Sequence, residues 1–376
     1  MKHFVFAICL FSSSANAAWV VEDIPTAIQT TRVPLLITKE LASAYRATYD
    51  ASGLKTGENI AIAYRSLYLY IVQRQGTGWS SIHFDDAGRY PSIALDSTGK
   101  PHMSYFRTSN NKLYYARTVP AGTGNCGPNT SWVCEEVPGS LYGAPIGRSA
   151  ITVNGSKVHI LVETASGNAT YTSMIHRVTK TIGAANWDLS VDQVTPAKDL
   201  VDLDIRIDAS GTPQVLINSE YLDWYRKVNF IWDGIGPFNG NGSFGITTGG
   251  SPRVCYRDFA SNRLIYARSN GIDYWMESVI DYDIGSKGSC AIAVPEDKSG
   301  IQPVGYNNPH VAYYDDVSDT VKYATPPLIS TEPWSVQTVA TVPGPRKIDL
   351  YLDKQGRASI IYFNSANLKL QLAKWQ

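Results

Sequence analysis

The feature that most constrains the fold of this 376-residue chain is a short turn motif that recurs along its length. An aspartate is followed three residues later by a glycine, and the pair joins two alternating apolar runs, as in PSIALDSTGKPHMSYF at residues 91–106. Aspartate suits the first position of a tight turn and glycine the last, so each copy predicts a β-hairpin. The copies lie at residues 50–53, 96–99, 208–211, 297–300 and 353–356, with Asn154-Gly155 as a shorter equivalent.

Each turn begins a unit of about 50 residues that contains further strands. A strand of one type follows the turn at residues 101–107, 157–163, 213–219, 252–258, 309–315 and 358–364, and residues 59–65 are a looser first copy. A third strand comes next, and a fourth opens with tryptophan in most units: Trp79, Trp132, Trp187, Trp275 and Trp334. Self-similarity at this period predicts an all-β propeller of four-stranded antiparallel blades.

The two ends of the chain complement each other. The last unit stops after its third strand, whereas residues 18–25 match the missing fourth strand. A ring closed by pairing its ends has no exposed sheet edge, which protects it from aggregation. We therefore predict seven blades, entered at about residues 42, 90, 147, 200, 242, 287 and 345, with the N-terminal strand completing the last blade. Residues 18–376 would then form a single domain.

The N-terminus has the pattern of a secretory signal peptide. A basic start is followed by the apolar run FVFAICLF and by Ala15-Asn16-Ala17, an A-x-A cleavage signal. Cleavage after Ala17 is expected, and Cys9 lacks the preceding small residue of a lipidated cysteine. No later stretch approaches the ~20 apolar residues of a membrane span. We expect a secreted or periplasmic protein.

Charge composition argues against a nucleic-acid partner. The chain has 33 Lys+Arg and 33 Asp+Glu, so no long-range field attracts anionic polymers or membranes. No glycine motif that cradles phosphate and no metalloprotease or G-x-S-x-G motif occurs, so neither a cofactor nor a metal is predicted.

Four cysteines remain after cleavage, an even number for an oxidising compartment. Cys126 and Cys134 flank a Gly/Pro/Asn loop that a disulfide would clip, and Cys255 and Cys290 lie in strands of neighbouring units. A thiolate or zinc site is the weaker interpretation because no C-x-x-C spacing is present.

The repeat SIALDSTGKPHMSYF followed by LYYAR resembles that of bacterial seven-bladed β-propellers of the BNR-like and WD40/YVTN-like superfamilies. Such propellers include lectins, glycosidases, polysaccharide lyases and scaffolds, so the resemblance implies a fold and no single activity. The sialidase Asp-box is incomplete, since its tryptophan is absent. The catalytic histidines of similar lyases would fall near Ala87 and Thr108, which cannot transfer a proton.

Recurrent residues are predicted to serve packing. His102, His159 and His310 are assigned to one position of the second strand in different blades, which disperses them around the ring. Tyrosines also recur there in register, where large rings fill the gaps between blades. They are Tyr105, Tyr256, Tyr313 and Tyr362.

Sequence repetition stops just beyond the second strand, in loops on the face that usually binds ligands. We predict ligand contacts there and no catalytic residue. The candidates are Arg65, Arg107, Glu163, Glu220, Arg257, Asp258, Asp315, Asp316 and Asn364. The expected function is recognition of a glycan or a protein partner at or outside the cell envelope, or a scaffold role in assembly. The alternative is a carbohydrate-active enzyme that uses the central top face.

Overall fold

The aspartate of each recurring turn closes its hairpin through its own carboxylate. In the computed structural model, Asp96 Oδ1 accepts hydrogen bonds from the backbone N–H groups of Thr98 and Lys100, at 2.8 and 2.9 Å. Asp208 and Asp353 make the same pair of contacts in their own turns. The glycine that follows has a positive φ, 81° at Gly99, which other residues adopt only with strain. The repeated motif is thus a structural turn.

The structure describes fifteen segments of the chain: residues 18–25, 40–52, 55–66, 68–76, 78–139, 143–166, 172–188, 191–219, 222–228, 231–238, 240–269, 275–295, 308–327, 332–344 and 347–376. The predicted signal peptide, the turn at 297–300 and Glu220 lie outside them. Within this part of the chain, no helix is long and apolar enough to cross a membrane.

The described residues form 28 strands and one short 3₁₀ turn, Pro128–Thr130. The strands are β1 (Trp19–Ile24), β2 (Leu41–Tyr49), β3 (Lys55–Arg65), β4 (Leu69–Gln75), β5 (Gly78–Asp85), β6 (Gly88–Leu95), β7 (Pro101–Arg107), β8 (Lys112–Thr118), β9 (Trp132–Glu136), β10 (Pro145–Asn154), β11 (Lys157–Ala165), β12 (Ser173–Thr181), β13 (Asp192–Ala197), β14 (Asp202–Ile207), β15 (Pro213–Asn218), β16 (Leu222–Val228), β17 (Ile231–Phe238), β18 (Gly240–Ile246), β19 (Pro252–Asp258), β20 (Leu264–Ser269), β21 (Trp275–Asp281), β22 (Ser289–Ala293), β23 (His310–Asp315), β24 (Thr320–Thr325), β25 (Ser335–Thr341), β26 (Ile348–Leu352), β27 (Ala358–Asn364) and β28 (Lys369–Trp375).

These strands make seven four-stranded antiparallel sheets, as predicted. Blades 1 to 6 each use four consecutive strands, from β2–β5 for blade 1 to β22–β25 for blade 6. Blade 7 has the order β1-β28-β27-β26, so the N-terminal strand is its outer strand. The described residues therefore form a seven-bladed β-propeller.

Closure of the ring is confirmed residue by residue. Strand β1 pairs with β28 along its whole length, from Trp19 opposite Trp375 to Ile24 opposite Leu370. Ile24, Leu370 and Leu372 are buried in the same cluster as Ile60 and Ile62 of blade 1. The join between the last blade and the first is therefore packed with apolar side chains.

The recurrent aromatic residues fill the spaces between blades, which confirms their predicted packing role. Tyr105, Tyr256, Tyr313 and Tyr362 are all buried. His102 Nδ1 lies 2.6 Å from Tyr115 Oη, and His310 makes the same contact with Tyr323. His159 makes the equivalent contact with an arginine: its Nδ1 lies 3.0 Å from Nη1 of Arg177, which occupies the third-strand position of Tyr115 and Tyr323. The three histidines therefore share one position of the second strand, as predicted.

Both predicted disulfides are present. Cys126–Cys134 closes the loop between β8 and β9 in blade 2. Cys255–Cys290 joins β19 of blade 5 to β22 of blade 6, so it ties neighbouring blades together. The first bond restrains a loop within one blade, and the second restrains the interface between two blades.

Candidate functional site

The predicted ligand residues that the structure describes lie on one face of the ring. We call it the top face: here the second strand of each blade ends and, because neighbouring strands are antiparallel, the inner strand begins. Gly88 of β6 pairs with Arg107 of β7, and Asn241 of β18 pairs with Arg257 of β19. Loop residues of several blades and the start of every inner strand therefore share this surface.

Most of the predicted residues are engaged within their own blade or with a neighbouring element, and the described ones do not converge on a single pocket. Their contacts are Arg65 with Glu40 at 3.3 Å, Glu163 with Ser173 at 2.7 Å, Asp315 with Lys322 at 2.6 Å, Asp316 with Lys287 at 3.5 Å, Asn364 with Gln371 at 3.1 Å and Asp258 with Ser261. Arg107 and Arg257 differ from these because each lines a cavity.

The first cavity, which we call the Arg107 pocket, lies between blades 1 and 2 and has a volume of about 570 Å³. Blade 1 contributes the end of β5, and blade 2 contributes side chains of β7 and β8 together with the disulfide-closed loop. The lining includes His83, Phe84, Asp85, Asp86, Tyr105, Arg107, Tyr114, Asn125, Cys126 and Cys134. Its size is typical of a small-ligand site.

The polar groups of this pocket are arranged around one arginine. Arg107 Nε lies 3.2 Å from Asp85 Oδ2, yet it has no aligned hydrogen-bond acceptor among the described residues. The guanidinium carbon lies 5.7 Å from the centre of the Tyr114 ring. The Arg107 side chain is 42% exposed, whereas that of Asp85 is 6% exposed. A fixed carboxylate thus holds a cation that still faces solvent.

A buried tyrosine completes the wall of the pocket. Tyr105 Oη lies 3.5 Å from Asp85 Oδ2 and 3.8 Å from Cys134 Sγ. Burial raises the pKa of Tyr105 well above its ordinary value, so the hydroxyl stays protonated and can donate. A tyrosine in this state is a poor nucleophile.

The same positions between blades 5 and 6 form a different arrangement, which we call the Lys322 site. Lys322 occupies the position of Tyr114, because it pairs with Tyr313 as Tyr114 pairs with Tyr105. Its Nζ lies 2.6 Å from Asp315 Oδ2 and 3.1 Å from Asp281 Oδ2. Tyr313 also donates to Asp281, at 2.7 Å. The charges of this site are satisfied internally.

The second cavity is the central channel, of about 800 Å³, which is lined by the inner strands of all seven blades. Lys347 of blade 7 reaches across it to Asp202 of blade 4, with 3.1 Å between Nζ and Oδ2. Asp349 accepts a hydrogen bond from Ser43 at 2.5 Å. Burial raises the pKa of Asp349, although Lys347 and Ser43 oppose the shift. In the described chain, no three His, Cys, Asp or Glu side chains are arranged to hold a metal ion.

Several of these residues were not predicted as site residues. Asp85 and Tyr114 were missed because the sequence does not show which fourth strand borders which second strand. Lys347, Asp202 and Asp349 were missed because they lie on inner strands. One signal was available: charged residues at the starts of inner strands meet at the top of a closed ring.

The described residues thus form a seven-bladed propeller with one pocket between blades 1 and 2 and one central channel. No protein-family model matches the sequence, and no curated protein matches it either. Solved structures share the fold. One is polysaccharide lyase Uly1, with a TM-score of 0.52 and 7% identity over 89% of this chain and 89% of that one.

A second similar structure is the S511A mutant of a puromycin hydrolase complexed with PGG. It has a TM-score of 0.51 and 11% identity, and the match covers 93% of this chain and 56% of that one. At these identities the likeness is one of fold. The fold alone does not identify an activity.

Proposed function

We propose that this protein is an exported, non-enzymatic glycan-binding propeller that holds a sugar unit in the Arg107 pocket. The observation that carries the proposal is the half-exposed guanidinium of Arg107, fixed between the Asp85 carboxylate and the Tyr114 ring beside a cavity of about 570 Å³. Residues 18–376 would form the single domain of the exported protein, within the BNR-like or WD40-like group that its repeat resembles. The two disulfides agree with an oxidising compartment.

The chemistry of the pocket suits a polyhydroxylated ring. A sugar presents hydroxyl groups at its edge and carbon-bound hydrogens on its faces. Arginine and carboxylate can donate to and accept from neighbouring hydroxyls, and an aromatic ring packs against the apolar face. Arg107, Asp85 and Tyr114 supply these three groups at one position.

The pocket is also preorganised. The Cys126–Cys134 bond closes the loop that forms one wall. Within it, Asn125 accepts from the backbone N–H of Cys134 at 2.7 Å and donates to the carbonyl of Cys134 at 2.9 Å. A wall that is ordered before binding reduces the entropy lost when the ligand enters.

The proposal is tested by glycan-array screening followed by calorimetry on the best glycan. We expect Arg107→Gln and Tyr114→Ala each to weaken binding about tenfold or more, because each removes a direct contact. Arg117→Gln is the matched control, since Arg117 lies on β8 with Tyr114 but toward its other end, opposite His102. Unchanged binding by both pocket variants would contradict the site, and turnover of the bound glycan would contradict the non-enzymatic role.

A catalytic role in the central channel is the second candidate. Asp349 has a raised pKa, and the carboxylates of Asp202 and Asp204 contribute to the shift. A carboxylic acid of raised pKa close to other carboxylates is the arrangement that glycoside hydrolysis requires. If the channel is catalytic, the wild type releases reducing ends from a glycan and Asp349→Asn abolishes the release. No release by the wild type from any array glycan would exclude this role for those glycans.

A further inference from the structure

The channel mouth, the top end of the central channel, contains a buried arginine without an ion partner. Arg257 is 9% exposed and lines the channel. Its Nη1 donates to Asn262 Oδ1 at 3.0 Å, whereas Nε has no hydrogen-bond partner among the described residues. No carboxylate in that part of the chain comes within 4 Å of its guanidinium. A buried cation in this state is costly unless something pairs with it.

Two further unsatisfied polar atoms line the same mouth. Asn241 Oδ1 and Ser289 Oγ are both buried without a hydrogen-bond partner in the described chain. Asn241 is the cross-strand partner of Arg257, so both side chains lie on one face of blade 5. Ser289 lies on the inner strand of blade 6, next to Cys290, so its side chain is on the opposite sheet face from the cysteine, outside the crevice between blades 5 and 6.

The spacing between these groups is fixed by a covalent bond. Cys255 lies two residues before Arg257 on β19, on the same sheet face, and its disulfide to Cys290 joins blade 5 to blade 6. The crevice that holds Arg257 and Asn241 therefore cannot close by a movement of the two blades. Its polar groups need a ligand or solvent to satisfy them.

The nearest carboxylates are already engaged. Asp316 pairs with Lys287 at 3.5 Å, and Asp258 accepts from Ser261 and from the backbone of Ala260. Counted together, Arg257 and Lys287 are balanced by Asp258 and Asp316, so these four groups carry no net charge. A singly charged anion disturbs this balance less than a doubly charged phosphate does.

We propose that the channel mouth binds a small hydroxylated carboxylic acid, a sugar acid of the uronate class, through Arg257. The planar carboxylate would accept hydrogen bonds from the Nε edge of the guanidinium, a geometry that carboxylates favour. A neighbouring hydroxyl would donate to Asn241 Oδ1. This site is separate from the Arg107 pocket and does not depend on the glycan proposal made for it.

The test is calorimetry of the full mature chain with glucuronate, glucose and sulfate. We expect glucuronate to bind, and glucose and sulfate each to bind at least about tenfold more weakly. Glucose lacks the carboxylate that pairs with Arg257, and sulfate lacks the ring hydroxyls. Arg257→Gln is expected to weaken glucuronate binding by about tenfold or more. Arg253→Gln is the matched control: Arg253 lies on the same strand and sheet face but outside the channel, and its loss should leave binding unchanged.

A second variant keeps the proposal testable if Arg257→Gln does not fold. Asn241→Asp places a carboxylate beside the bound anion and should also abolish glucuronate binding. Binding of glucuronate by both variants as by the wild type would overturn the proposal, as would equal binding of glucose or sulfate. Arg107→Gln should leave glucuronate binding unchanged, so failure of the Arg107 pocket and failure of this site give different results.

Discussion

The Arg107 pocket and the Lys322 site occupy equivalent positions between neighbouring blades, but only the Arg107 pocket is open to a cavity. Each has a tyrosine on the second strand, a residue opposite it on the third, and an aspartate at the end of the preceding blade's outer strand. In the Lys322 site a cation lies between two carboxylates, at 2.6 and 3.1 Å. In the Arg107 pocket the cation has one carboxylate and faces a cavity. Two carboxylates around one cation thus give an interface whose charges are satisfied internally, which we call closed. One carboxylate beside a solvent-facing cation gives an open one.

The largest difference in stability between the two sites is expected when the cation of each, Lys322 or Arg107, is removed. Lys322→Gln should lower the free energy of unfolding by about 4 kcal/mol, because it leaves Asp315 and Asp281 close together without a counter-charge. Arg107→Gln should lower it by less than about 1 kcal/mol, because its side chain is 42% exposed and solvent screens its ion pair. Denaturant unfolding of both variants measures the contrast. Equal losses would contradict the division into closed and open sites.

Acidification should affect the two blades unequally. Burial lowers the pKa of His310 in blade 6 to about 4. His102, its equivalent in blade 2, has Asp96 Oδ2 at 3.5 Å from Nε2, which opposes the shift. The unfolded state binds more protons than the folded state between about pH 6.5 and 4, so stability is complete above pH 6.5 and falls as the pH falls.

Protonation of His310 should lower the free energy of unfolding by about 3 kcal/mol by pH 4. His310→Gln should flatten this part of the stability profile, and His102→Gln should flatten it less. Unfolding free energies at pH 7, 5.5 and 4 provide the measurement. A larger change for His102→Gln would show that Asp96 does not protect the blade 2 histidine.

Removing the tyrosine hydroxyls is expected to have a smaller effect. Tyr313→Phe should cost about 1.5 kcal/mol, since its hydroxyl donates to Asp281 at 2.7 Å. Tyr105→Phe should cost below about 0.5 kcal/mol, because its hydroxyl lies 3.5 Å from Asp85. Thermal unfolding compares the two. A greater cost at Tyr105 would show that the Arg107 pocket is held as tightly as the Lys322 site.

The smallest expected effect is a gain of weak glycan binding at the Lys322 site. The double variant Asp315→Arg and Lys322→Tyr gives blades 5 and 6 the residues of the Arg107 pocket. Weak binding of the same glycan, about tenfold or more below that of the natural pocket, should appear, because the disulfide-closed loop has no counterpart in that substitution. Calorimetry in an Arg107→Gln background isolates the new site. Complete absence of binding would show that the loop, and not the charge balance, defines the pocket.

The sequence predicted the fold because its information is local and repeated. The turn at residues 96–99 is recognisable from four residues, and the missing fourth strand of the last unit pointed to Trp19–Ile24. The site residues depend on pairing between distant segments. Asp202 and Lys347 are 145 residues apart and meet only because blades 4 and 7 face one channel. Position along the repeat placed Arg107 and Arg257 at the end of the second strand, on the top face, but it could not show which of nine candidates border a cavity.

The backbone N–H of Gln376 donates to the carbonyl of Ala18 at 3.2 Å, at the seam where β1 joins β28. The ring therefore has no privileged starting blade. A short peptide bridge across this seam, with a new break in any inter-blade connection on the surface, should yield a circular permutant with the same architecture. The folded ring would then be the same whichever blade comes first in the polypeptide.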